Sequence, residues 1–291
     1  MTPLRLDAPA KLNLSLRVVG RRPDGFHELE GVMVLLELAD RLLLMPGTSG
    51  LRVDPPATGR VPTDARNLAW RGLLAGLGGE PDLACLTLHK QIPVASGLGG
   101  GSSDAAAAWR LGRRWRGADE HTTDDDLAAL TTVGADVPFF AARLAAARVS
   151  GIGERVAPIR PSASELHAVL VHPPFRLRTA DVFGELRLAD WSAASAADAS
   201  ADPLEPGAND LLAPARRLRP EIDDLFRLVY SAGGAPHLTG SGPTVYALTD
   251  DEQRAAGMAD RLRRAGLRVT DTRLRREPAS IEALSDNEED G

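Results

Sequence analysis

Pro93-Val-Ala-Ser-Gly-Leu-Gly-Gly-Gly-Ser-Ser-Asp-Ala-Ala-Ala-Ala108 places Gly97, Gly99, Gly100 and Gly101 directly ahead of an alanine-rich helical stretch. Glycine gives the backbone access to positive φ, so successive N–H groups can converge on one anion. Ser102 and Ser103 are expected to open the helix and cap its unpaired N–H groups, while the positive end of the helix dipole attracts a phosphate. The loop has neither the Gly-Lys-Ser/Thr of a Walker A motif nor the G-x-G-x-x-G spacing of a dinucleotide fold, which implies a different phosphate-binding architecture.

Two further groups complete a possible reaction centre. Lys11, in Ala8-Pro-Ala-Lys-Leu-Asn-Leu14, stands at the entrance to a strand, where an ammonium can offset developing negative charge. Asp136, in Gly134-Ala-Asp-Val-Pro138, sits in a turn before a proline-started helix. Taken alone, Lys11 reads as a surface lysine and Asp136 as a simple N-cap. Taken with the glycine loop, they supply what phosphoryl transfer needs: a phosphate cradle, a positive clamp and a carboxylate for the acceptor's proton.

Arg21-Arg-Pro-Asp-Gly-Phe-His-Glu28 presents an aromatic ring and an imidazole from a Pro-Asp-Gly turn, a pair able to stack on a base and hydrogen-bond its edge. The alternative is a core Phe26 beside a surface His27. Phe183 offers a second stacking face or a core residue. His237-Leu-Thr-Gly-Ser-Gly-Pro-Thr-Val245 is a second glycine turn, leading into a strand, in which Gly240 and Gly242 either allow close approach to a phosphate or to the first loop or simply make an ordinary tight turn.

The elements that must carry these groups follow from periodicity. Alternation over Lys11–Val19 predicts a half-buried strand with Lys11, Asn13, Ser15 and Arg17 on one face. Further strands are expected at 28–37, 41–45, 83–89 and 143–150, and helices at 102–115 and 124–132. Beyond about Gly153, strands at 167–172, 243–249 and 267–274 accompany helices at 179–187, 209–217, 220–231 and 251–265, making the second half α+β as well. Ser192–Pro203 is low in complexity and expected to be a mobile loop, and 277–291 an acidic, disordered tail.

The 291 residues suggest two domains, and a net charge of −6 argues against nucleic-acid or membrane-surface binding, leaving a small-molecule partner. The single cysteine, Cys85, excludes an intramolecular disulfide or a cysteine zinc cluster and reads as a buried strand thiol. There is no signal-peptide pattern and no uninterrupted apolar run long enough to cross a bilayer, so a cytoplasmic location is expected. Lys11 and Lys90 are the only lysines against a background of arginine, a mild hint of chemical need.

The motifs Pro9-Ala-Lys-Leu-Asn-Leu, Arg22-Pro-Asp-Gly-Phe-His, Asn67-Leu, the long glycine loop, Gly134-Ala-Asp-Val-Pro, Asn209-Asp-Leu and Leu238-Thr-Gly-Ser-Gly-Pro-Thr resemble those of the galactokinase, homoserine kinase, mevalonate kinase and phosphomevalonate kinase superfamily. Within it they resemble the 4-diphosphocytidyl-2-C-methyl-D-erythritol kinase family, from Ala8 to about Arg273. The resemblance implies an α+β fold with an N-terminal domain (1–157) like the second domain of ribosomal protein S5, a ferredoxin-like C-terminal domain (158–276), and an active site between them. It implies ATP with its phosphates across Pro93, Val94, Ala95, Ser96, Gly97, Leu98, Gly99, Gly100, Gly101, Ser102 and Ser103, Asn67 and Leu68 near the adenine, and Mg²⁺ on the phosphates with no protein metal ligand assigned. Asp136 would be the base and Lys11 its partner. Asn13 would hold the polyol, and the cytidine would lie between Phe26 and Phe183 near His27 and Thr179, with Gly240 and Ser241 also on the substrate side. A monomer or weak homodimer is expected.

Two departures stand out. Position 26 is often tyrosine in the family, so Phe26 keeps the stacking face and loses a hydroxyl. Asp104 would repel phosphates unless it caps the helix or meets Mg²⁺ through water. Another kinase of the superfamily, or a silent nucleotide-binding regulator, are the competing readings; the first has no reason to carry Phe26-His27 beside Phe183, the second none to keep Lys11 and Asp136.

Overall fold

The computed structural model describes residues 2–54, 61–79, 83–160, 165–192 and 204–284. Two sheets organise it. The larger runs through β1 (Leu4–Arg21), β2 (His27–Pro46), β3 (Gly50–Asp54), β4 (Ala84–His89), β5 (Ala146–Gly151), β6 (Arg155–Pro158) and, from the far end of the chain, β11 (Glu282–Ala283). The smaller has the order β10 (Arg268–Arg273), β7 (His167–His172), β9 (Val245–Thr249), β8 (His237–Leu238) and is antiparallel throughout. Helices α1 (Leu68–Leu77), α2 (Gly100–Trp115), α3 (Asp124–Leu130) and α4 (Val137–Ala141) belong to the first half. The second half carries α5 (Thr179–Gly184), α6 (Leu212–Leu218), α7 (Ile222–Ser231) and α8 (Glu252–Arg264).

The predicted break between strands at 28–37 and 41–45 is absent, because β2 continues through Leu38–Asp40 and pairs with β1 on both sides of it. On β1 the even-numbered residues serve three cores in turn. Leu4, Leu6 and Ala8 pack with α1 and α2, Ala10, Leu12 and Leu14 with β7 and β9, and Leu16 and Val18 with the helices of the second half. The smaller sheet is buried on both faces: Ala168, Leu170 and Tyr246 meet the β1–β2 ribbon, whereas Val169, Val171, Val245 and Ala247 meet the helices. Period-two alternation thus joins the two halves through a continuous apolar layer.

The alanines of α2 have a packing reason. A Cβ on Gly72 or Gly76 of α1 would come within 2.1 or 2.2 Å of the Ala105 or Trp109 carbonyl oxygen, so these two helices touch backbone to backbone. That contact sets the start of α2 beside the start of α1. The expected disorder of the tail from 277 onward is corrected up to Leu284: β11 pairs with β1 at Leu4 and Arg5, Arg110 donates to the Ala279 carbonyl (2.9 Å), and Ala279 and Leu284 are buried. Edge pairing to the first strand gives this acidic stretch a place that its composition did not announce. Residues 285–291 and 193–203 lie outside the described residues.

Candidate active site

A cavity of about 900 Å³ opens between the halves. Among the residues that line it are Lys11, Asn13, Phe26, His27, Asn67, Leu68, Asp136, Thr179, Phe183, Gly240 and Ser241, together with Pro93–Gly97 and Gly99–Ser102. Leu98 and Ser103 do not line it. Leu98 is fully buried in the core behind the loop, and Ser103 is buried one turn into α2.

Ser102 and Ser103 do not open the helix as expected. Gly99 is the N-cap of α2, in the left-handed region at φ 72°, and no side chain caps the helix. Ser102 and Ser103 fall at its third and fourth positions, and the first intrahelical bond runs from the Ser103 N–H to the Gly99 carbonyl (2.9 Å). The first-turn N–H groups, which have no intrahelical acceptor, therefore face the cavity. A Cβ on Gly99 would lie 2.9 Å from Phe140 Cζ and 3.0 Å from Lys11 Cγ, so glycine here also admits the lysine stem.

The two glycine turns are bolted together. The Lys11 N–H donates to the Leu98 carbonyl (3.0 Å) and the Thr244 N–H to the Ser96 carbonyl (3.3 Å). The Asn13 N–H donates to the Thr239 hydroxyl (3.0 Å), and the Tyr246 hydroxyl to the Asn13 carbonyl (3.0 Å). Asn209 holds the second turn by donating to the Leu238 and Gly240 carbonyls (2.8 and 2.9 Å). Gly240 and Gly242 approach the first loop at Gly97, where an added Cβ would lie 2.8 Å from the Gly242 carbonyl oxygen, in keeping with one of the sequence readings.

Lys11 and Asn13 share a face, and the ammonium donates to the Asn13 side-chain oxygen. Lys11 Nζ lies 3.8 Å from Asp136 Oδ2, with Lys11 buried and the Asp136 side chain 31 % exposed. Burial lowers the lysine below its ordinary value, and the attraction of Asp136 only partly offsets it. Asp136 is the N-cap residue of α4 by position but makes no side-chain cap bond. Its carboxylate is left for Lys11 and for the cavity.

Asn67 is occupied: it caps α1 by accepting from the Ala69 N–H (2.9 Å) and donates to the Pro62 carbonyl (2.6 Å). Asp104 neither caps the helix nor faces a phosphate unshielded. It is buried and bonded to Lys90 Nζ (2.7 Å), which also pairs with Asp40. Burial raises Asp104 above the usual carboxylate range, Lys90 opposing. Burial works against the charge on Lys90, but Asp104 and Asp40 outweigh it and raise the lysine. Asp40 is further fixed by the Gln91 and Ile92 N–H groups (2.6 and 2.8 Å). This triad ties β2 to the glycine loop; the sequence marks Lys90 as one of only two lysines but does not reveal its partners.

At the opposite end, Phe26 is 57 % exposed on a turn closed by its own carbonyl, which accepts from the Arg22 N–H (2.7 Å). His27 stacks on Phe183 with ring centroids 5.4 Å apart and meets Trp191 edge-on at 5.8 Å. Partial burial and then Arg21 lower His27, favouring the neutral ring. The Thr179 and Ser241 hydroxyls, both from the second half, bond to each other on that side of the cleft (3.0 Å). Among the described residues no cluster of three or more His, Cys, Asp or Glu could hold a metal ion, and no helix is long and apolar enough to cross a membrane.

Residues 67–143 match the GHMP kinases N terminal domain and 188–267 the GHMP kinases C terminal family. The chain is 38 % identical to the 4-diphosphocytidyl-2-C-methyl-D-erythritol kinase of Rhodopseudomonas palustris over 89 % of its length and 92 % of the relative's. It is 40 % identical to that of Methylorubrum extorquens over 94 % of its length and 100 % of the relative's. A crystal structure of 4-(cytidine 5'-diphospho)-2C-methyl-D-erythritol kinase superposes with a TM-score of 0.76 at 34 % identity, covering 92 % of this chain and 98 % of that one. Homoserine kinase from Cytophaga hutchinsonii shares the fold alone, at a TM-score of 0.67 and 17 % identity, over 97 % of this chain and 98 % of the other. With the two GHMP kinase domains, full-length relatives and a cavity that joins a glycine cradle to an aromatic end, the chain belongs to the 4-diphosphocytidyl-2-C-methyl-D-erythritol kinase family.

Proposed function

We propose that this cleft transfers the γ-phosphoryl group of ATP to the 2-hydroxyl of 4-diphosphocytidyl-2-C-methyl-D-erythritol, giving the 2-phosphate and ADP, a step in the non-mevalonate route to isoprenoid precursors. The observation that carries the assignment of roles is the Lys11–Asp136 pair, 3.8 Å apart, facing the uncapped start of α2 in one cavity with Phe26, His27 and Phe183.

In this reading the first-turn N–H groups of α2 and the loop backbone from Pro93 hold the phosphates, with Asn67 and Leu68 beside the adenine. Asp136 accepts the proton of the acceptor hydroxyl as its oxygen bonds to the γ-phosphorus and the bond to the ADP oxygen breaks. A carboxylate is a weak base towards an alcohol, so proton transfer follows substantial cleavage of that bond. Lys11 orients Asp136 and offsets charge on the transferring group, and Asn13 holds the polyol. Phe26 and Phe183 stack on the cytosine, and His27 reads its edge. Thr179, Gly240 and Ser241 close the substrate side.

Mg²⁺ arrives with the nucleotide in this reading. The carboxylates beside the glycine loop, Asp104 and Asp136, are engaged by Lys90 and Lys11, and among the described residues no acidic cluster suited to a metal ion accompanies them. The ion's chemistry is charge neutralisation on the phosphates. We place the domain boundary near 157–158, take the protein as cytoplasmic and a monomer or weak homodimer, and assign no nucleic-acid or membrane partner. Mg²⁺-dependent ADP release on the cytidine substrate, set against homoserine, mevalonate and galactose, tests the reading. Turnover on the cytidine substrate alone supports it, and preference for another acceptor overturns it.

A further inference from the structure

The base end of the cleft has a support that the sequence reading missed. No hydrogen bond orients the His27 side chain among the described residues; its orientation comes from Phe183 and Trp191, at 5.4 Å with 30° between the ring planes and at 5.8 Å with 84°. Trp191 does not itself line the cavity. It follows a single 3-10 turn, Leu188–Asp190, and is held from both sides. On one side Asp190 accepts from the Arg187 N–H (2.8 Å) and pairs with Arg217 (2.6 Å), which also donates to the Glu185 carbonyl (2.5 Å) at the end of the helix that carries Phe183. On the other, the Ser192 N–H and hydroxyl both donate to Asp210 (2.9 Å each), whose carboxylate also accepts from the Val18 N–H of β1 (2.8 Å). These anchors therefore fix the backbone on either side of Trp191, the Phe183 helix and the strand that leads to His27, while the buried indole Nε1 has no hydrogen-bond partner among the described residues and the ring is held by packing.

The structure assigns Trp191 as a positioning residue for base selection: held by the Asp190–Arg217 and Ser192–Asp210 anchors, it fixes the ring of His27 against Phe183. The assignment rests on the reading of His27 as the group that meets the base edge. A neutral imidazole has one donor and one acceptor nitrogen, and a cytosine edge is distinguished from a uracil edge by where donors and acceptors lie. An imidazole free to turn would satisfy either edge. A fixed one discriminates, since a mismatched polar group is left unpaired.

The test compares Trp191→Leu, Trp191→Phe and His27→Gln with the wild type, measuring kcat and KM for ATP, for the cytidine substrate and for its uridine analogue. Trp191→Leu is expected to raise KM for the cytidine substrate about tenfold and to narrow the cytidine-to-uridine preference, with kcat and KM for ATP within about twofold, while Trp191→Phe restores most of the loss. The His27 ring resonances in the ligand-free protein should move in Trp191→Leu. If His27→Gln weakens the substrate and Trp191→Leu does not, the positioning role is overturned and the reading of His27 stands. If His27→Gln leaves KM and preference unchanged, the reading of His27 itself fails. An equal rise in KM for ATP in Trp191→Leu would mark a general structural defect and overturn the assignment. Should Trp191→Leu not fold, Arg217→Met, which loosens Asp190 without touching the rings, is expected to raise the same KM by a smaller factor; no rise would overturn the clamp.

Discussion

At the glycine-loop end of the cleft, where we propose that the phosphates lie, the groups assigned to the reaction are held by backbone. Lys11 and Asn13 lie on a central strand whose main chain bonds to both glycine turns, and α2 is fixed against α1 by contacts that only glycine allows. At the aromatic end, where we propose that the base lies, Phe26 stands exposed on a turn, and among the described residues His27 is oriented by ring contacts to residues far along the chain. Displacing a reacting atom by an ångström costs about a hundredfold in rate, whereas stacking tolerates small shifts and contributes about 1–3 kcal/mol per base. The rigid end therefore suits chemistry and the looser end recognition, so changes at the two ends should divide cleanly between kcat and KM.

The largest break in that comparison is expected from Gly99→Ala. The new Cβ would sit 2.9 Å from Phe140 Cζ and 3.0 Å from Lys11 Cγ on a backbone at φ 72°, pushing the lysine and the helix start apart. Steady-state kinetics should show kcat lower by about a hundredfold, with a modest rise in KM for ATP. Phe26→Ala sharpens the comparison from the other end. It should raise KM for the cytidine substrate about tenfold while kcat holds, and an unchanged KM would remove the ring from recognition.

The effect smallest at neutral pH belongs to the layer beneath the second glycine turn. His172 is buried between Thr244 (3.3 Å) and Thr270 (3.1 Å), and burial, with Arg268 adding to it, pushes the imidazole down to about 4. A base depressed in the folded state gives stability that is complete above its ordinary value near 6.5 and is lost as pH falls towards 4. The loss approaches about 3 kcal/mol at the acid end. His172→Gln should flatten the fall of Tm across that window and leave activity at neutral pH nearly unchanged; a fall as steep as in the wild type would assign acid sensitivity elsewhere.

How much of this was legible in the sequence depended on range. The alternation of β1 placed Lys11 and Asn13 on one face, and turn chemistry located Asp136 and Gly240. Helix α1 went unnoticed although Asn67 at its cap and Gly78 after its end are local signals. Capping preferences favour the serines at the start of α2, but a left-handed glycine stands there because the Lys11 stem passes against it. The pairing of Lys90 with Asp40 and Asp104, the addition of β11 to β1 and the contact of Trp191 with His27 join distant parts of the chain, and no local pattern encodes them.

The most direct test of the account is Asp136→Asn, with turnover and ATP binding measured on the same preparation. A loss of about a thousandfold in kcat with the ATP Kd within about twofold of wild type is the result predicted for a group that takes the acceptor's proton and does not hold the nucleotide. Turnover comparable to wild type would remove Asp136 from the reaction and, with it, the division of labour between the two ends of the cleft.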